Sequence, residues 1–132
     1  MRYLMAVCLL MEVAGCARSP VAPSTDVSGV WIGLSSTALG AETFTFTVAQ
    51  GGLLLSGAWS VVFSAAPSAN QSGRLSGNVD LGAVLLTLTP DIQPNCNYVF
   101  NATLTTITKM DGQLQTANCT TSSVESLELI KQ

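Results

Sequence analysis

The run ETFTFTVAQ, residues 42–50, alternates between apolar and polar side chains at a period of two. Successive side chains of a strand point to opposite faces, so Phe44, Phe46 and Val48 share one face and Thr43, Thr45 and Thr47 the other. A helical period would scatter the same residues around its axis. A strand with one apolar face must pair and then bury that face, which commits the chain to a sheet.

The same period recurs to the end of the chain. LSGAWSVVFSA places Leu55, Gly57, Trp59, Val61 and Phe63 together. RLSGNVD and AVLLTLT form a pair around Leu81-Gly82, and CNYVFNATLTTIT aligns Cys96, Tyr98, Phe100, Ala102 and Leu104. QLQTANC and SLELIK follow, and GVWIGLSS stands at the front. Gly51-Gly52 and Met110-Asp111-Gly112 read as turns between neighbours. The sum is eight strands with mostly short links and almost no helix signal. That pattern predicts an all-β domain over residues 27–132, an antiparallel up-and-down meander closing into a small barrel. Closure removes the free sheet edges that would otherwise aggregate. A two-sheet β-sandwich is the alternative. The triplet Leu-Ser-Gly occurs at 55–57 and 75–77 without continuing, which marks strand chemistry and not a solenoid.

The chain begins differently. Arg2 is a minimal positive segment and residues 3–13 form an apolar run of signal-peptide length. Val13-Ala14-Gly15-Cys16 follows, and it resembles the lipobox of bacterial lipoproteins. The resemblance implies cleavage between Gly15 and Cys16 and a lipid (diacylglyceryl, often with palmitate) on the Cys16 thiol. The signal peptide would then be residues 1–15. Glu12, inside the apolar run, departs from the pattern. Residues 16–26 contain Pro20, Pro23 and small polar side chains, the composition of an extended tether. A bacterial cell-envelope location follows, with the membrane as partner through Cys16. Ala17 after the cysteine favours the outer membrane where the organism has one.

Of four cysteines, these assignments leave Cys96 and Cys119, which pair as a disulfide in an oxidising compartment. No C-x-x-C and no histidine accompany them, so a metal or redox pair lacks its ligands.

SGVWIG, residues 28–33, resembles the Gly-x-Trp opening of the first strand in lipocalin- and avidin-like barrels, with Gly29 and Trp31 in the matching places. The resemblance implies that Trp31 plugs one end of the barrel. No ligand-binding residue carries over. Trp59, Phe63, Tyr98 and Phe100 either line a cavity at the mouth or fill the interior. Eight strands leave an interior just wide enough for side chains, which favours filling.

Composition excludes several functions. The net charge is −3 with charged residues at only 10%, and no basic cluster exists to meet a phosphate backbone, so nucleic acid is no partner. No cofactor motif occurs. Among the carboxylates, Asp80, Asp91 and Asp111 fall at turns, and no spacing brings Glu42, Glu125, Glu128 or the others together for acid–base work. The chain therefore reads as a non-enzymatic envelope lipoprotein with a binding or structural barrel, its partner an unknown protein or a small apolar ligand. The alternative function is inhibition of a protease or lysozyme through the loops at 64–72 and 89–95. An integral outer-membrane barrel fits poorly, because the strands are short and the chain ends in Lys131-Gln132.

Overall fold

A computed structural model describes residues 25–132. The expected leader, Gly15, Cys16 and most of the tether lie outside the described residues. Eight strands run β1 (Gly29–Thr37), β2 (Gly40–Gly51), β3 (Leu54–Phe63), β4 (Gln71–Asp80), β5 (Ala83–Pro90), β6 (Asn97–Thr106), β7 (Lys109–Ala117) and β8 (Val124–Lys131). Each pairs antiparallel with the next, and β8 returns to β1 to close a barrel. The meander barrel is thus the fold, and the sandwich is not.

The period-two faces fall where alternation puts them. Phe44, Phe46, Val48, Leu55, Trp59, Val61, Phe100 and Ala102 are all buried inside. Burying one such large apolar side chain contributes roughly 1.5–3 kcal/mol, and the alternating threonines keep the outer face of β2 polar. Inside, Phe44 meets Phe46 edge-on at 6.4 Å and Phe46 meets Phe100 at 5.6 Å.

The two Leu-Ser-Gly triplets turn out to face each other. In the β3–β4 ladder Leu55 pairs with Gly77, Ser56 with Ser76 and Gly57 with Leu75. Each leucine therefore packs opposite a missing side chain. Gly57, at φ +151°, lies so close to β2 that an added Cβ would stand 1.9 Å from the Thr47 carbonyl oxygen. The glycine lets the strand coil into barrel curvature.

Two turns differ from the sequence reading. The β2–β3 turn is Gly52-Leu53, one residue later than Gly51-Gly52, because Gly51 still pairs with Leu54. The turn expected at Met110-Asp111-Gly112 is instead Ile107-Thr108, and Asp111 lies inside β7. Alternation overrides the Asp-Gly turn signal here, with Met110 and Leu114 both buried. Gly112 between them is a close approach: a Cβ would sit 2.4 Å from the Asn101 carbonyl oxygen.

The barrel has two unlike ends. At one, the turns Gly52-Leu53, Leu81-Gly82 and Ile107-Thr108 are tight, and the chain enters from residue 25. At the other, longer loops join β3 to β4, β5 to β6 and β7 to β8. The Cys96–Cys119 disulfide, as expected from the sequence, ties two of those loops together across 23 residues. In the chain-entropy account such a closure contributes about 3 kcal/mol.

Candidate functional site

Trp31 occupies the tight-turn end. It is fully buried, and its Nε1–H donates to the Val27 carbonyl at 2.9 Å. Val27, also buried, donates its own N–H to Gln50 Oε1 at 2.8 Å, and Gln50 Nε2 reaches the Thr25 carbonyl at 2.9 Å. Lys131 Nζ lies 5.7 Å from the centre of the Trp31 ring, close enough for a cation–π contact. This end is closed, and its buried polar groups are paired.

The long-loop end is a mouth. A cavity of about 290 Å³ opens there, lined by Phe44, Trp59, Val61, Phe63, Tyr98 and Leu114, with Glu42 and Glu125 among them. Of the aromatic residues singled out from the sequence, Trp59, Phe63 and Tyr98 therefore line a cavity, whereas Trp31 and Phe100 are packed core. The preference for a filled interior holds for the lower part of the barrel and fails at the mouth. Side chains at the mouth ends of the strands have no further layer above them to complete the packing.

Trp59 and Tyr98 meet edge-on at 5.8 Å, and the Tyr98 hydroxyl donates to Gln71 Oε1 at 3.3 Å. One rim of the mouth lies along the barrel seam. β1 pairs with β8 only from Trp31 to Gly33, so the ladder stops before Thr37 and Glu125, both of which line the cavity.

The two glutamates correct an expectation from spacing, since the fold brings Glu42 and Glu125 together in an apolar setting. Glu42 is only 4% exposed. Burial first, then the Glu42 charge and a hydrogen bond with it, push the Glu125 carboxyl above its ordinary range. Glu125 Oε1 and Trp59 Nε1 are buried without a hydrogen-bond partner. The signal was present in the alternation: Glu42 is in register with Phe44 and Phe46, and Glu125 with Leu127 and Leu129. Both carboxylates point inward for the same reason as their apolar neighbours.

No family model matches the chain, and no curated protein matches it in sequence. Its fold is similar to the solved structure of EF1p2_mFAP2b bound to DFHBI, with a TM-score of 0.66 at 9% identity. The match covers 80% of this chain and 93% of that one. Likeness at that identity is likeness of fold.

Proposed function

We propose that the protein is a lipid-anchored envelope lipoprotein whose barrel binds a small apolar ligand at the mouth without converting it. The single observation that carries the binding reading is the cavity between Trp59, Phe63 and Tyr98, apolar in its walls and left open by the long loops. The barrel of EF1p2_mFAP2b, alike in fold, is bound to DFHBI, which supports a barrel of this size as a small-molecule container.

The anchoring reading rests on the Val13-Ala14-Gly15-Cys16 motif. The chain reaches the barrel at the closed end, so a tether to an anchor on Cys16 leaves from that side. The closed-end turns expose Leu53, Leu54, Leu81 and Ile107, apolar tips suited to a lipid headgroup boundary.

The test has two readouts. Metabolic palmitate labelling should mark the wild-type chain and be lost, together with membrane fractionation, in Cys16→Ser. The neutral dye Nile red should bind saturably at one site, and Val61→Trp, which fills the cavity, should abolish it. Labelling of the Cys16→Ser chain, or dye binding indifferent to Val61→Trp, would remove the corresponding half of the reading.

Inhibition of a hydrolase is a second reading, favoured by one observation. Ile92 stands 83% exposed on the loop next to the disulfide. Stoichiometric loss of protease or lysozyme activity on adding the chain would carry it.

A further inference from the structure

The mouth holds negative charge that the described protein leaves unanswered. Glu42 is buried beside Glu125, and the basic residues among those described are all elsewhere. Arg74 lies on the outer face of β4, in a shallow groove with Ser56 and Thr89. Lys109 is paired with Glu128 at 3.1 Å, and Lys131 covers Trp31 at the closed end. From β1, β3, β4, β6 and β7 the cavity receives Thr37, Trp59, Gln71, Tyr98 and Leu114, of which only the Tyr98 phenol can ionise. A buried carboxylate without a counter-charge is costly, and a second beside it raises the cost. A ligand that supplies the cation relieves both.

Trp59 points independently to an occupant. It is 3% exposed, lines the same cavity, and keeps an indole N–H with no acceptor. Buried donors are ordinarily satisfied, so an empty one in a cavity wall marks the place of a missing acceptor, which a ligand must bring in addition to any cation it carries. The chemistry of the cation follows from the surroundings. A hydrated metal ion wants more oxygen ligands than two carboxylates, and no group of three acidic, cysteine or histidine side chains gathers among the described residues. An ammonium on an apolar body suits both the carboxylates and the aromatic walls.

We propose that the mouth is selective for an apolar molecule carrying a protonated amine and a hydrogen-bond acceptor, with the ammonium between Glu42 and Glu125, the acceptor facing the Trp59 N–H and the apolar body against Phe44 and Val61. This specifies the ligand class of the binding site proposed above and rests on that reading.

Titration calorimetry of the full chain with octylamine, octanol and octanoate separates the two, because the apolar body is constant and only the charge changes. Octylamine should bind at least about tenfold tighter than octanol, the factor of one charge-assisted hydrogen bond, with octanoate weakest. Glu42→Gln should bring octylamine down to the octanol affinity and leave octanol unchanged. The preference for the amine should fade on acidification as Glu125 takes up its proton, while octanol binding stays level. Equal affinity for amine and alcohol in the wild-type chain would overturn the charge selectivity and leave the apolar site standing. Binding by none of the three would overturn both. An amine preference that survives in both Glu42→Gln and Glu125→Gln would overturn the assignment of the cation to this pair.

Discussion

At the closed end Trp31 is sealed from solvent and gives its indole N–H to Val27; toward the mouth Trp59, almost as buried, gives its own to nothing. The same contrast runs through the neighbouring residues. Closed-end turns have two residues each, and Gln50 uses its amide to hold Val27, Thr25 and Gly52. Around the mouth, three of the four connections are long and only Ala38-Leu39 is tight, the β1–β8 ladder has ended, and Asn97 and Glu125 also keep buried oxygens without partners. One end of the barrel is built for stability. The other carries unsatisfied groups of the kind that a ligand or water completes.

The largest expected effect breaks this comparison directly. Trp31→Ala should cost about 3–5 kcal/mol, since it empties a packed layer and leaves the Val27 carbonyl unpaired. Trp59→Ala should cost clearly less, because the indole already borders a cavity and takes an unpaired donor with it. Guanidinium denaturation of the two variants measures the difference. Equal losses would mean that the mouth is packed as firmly as the base.

The sequence disclosed the barrel almost strand by strand, for a simple reason. Alternation is written at every position of a strand, and in a meander each partner is the neighbouring run, so no long-range pairing has to be guessed. It disclosed the disulfide by elimination among four cysteines. The site was less legible. The inward carboxylates Glu42 and Glu125 sit 83 residues apart and meet only because β8 closes on β1, with β2 alongside. Turn chemistry misled at Asp111-Gly112, where a glycine required by close packing imitated one required by a turn. Which aromatic residues would fill the barrel and which would border space was not readable from residue type, since depth below the mouth decides it: on β6, Tyr98 lines the cavity and Phe100, two residues deeper, is packed core.

The second test concerns acid. Asp26, at the closed end, accepts hydrogen bonds from the Ser28 hydroxyl and N–H, which hold its carboxyl below its ordinary value. Its contribution to stability is present at neutral pH and is lost as pH falls through its folded titration. Glu125 has the opposite sign. Burial raises it above 4.5, so the folded state holds the proton more firmly than the unfolded chain does. The penalty for ionising it is absent below the ordinary value and complete above the folded one. Glu125→Gln should therefore stabilise the unliganded domain at neutral pH and make no difference below pH 4.5. Urea midpoints of both chains across this range check it, and a destabilised variant at neutral pH would contradict the unanswered charge at the mouth.

The smallest effect sharpens the comparison from the other side. The β4–β5 turn places Leu81 at φ +48° and Gly82 at φ +84°, the left-handed pair for which Asn-Gly is the usual choice. At the mouth end, the non-glycine left-handed positions are Gln93 at φ +63° and Asn118 at φ +60°, the second a residue that tolerates it. Leu81 gains nothing from packing in return, being 92% exposed. Leu81→Asn should thus stabilise the domain by about 1 kcal/mol, read as a raised denaturation midpoint. If the closed end faces a membrane, the same variant should also bind lipid vesicles more weakly. A gain in stability with unchanged vesicle binding would leave the leucine strained to no purpose at that surface. A gain in one and a loss in the other would identify what the strain at Leu81 is for: an apolar tip kept at the end where the chain enters the barrel.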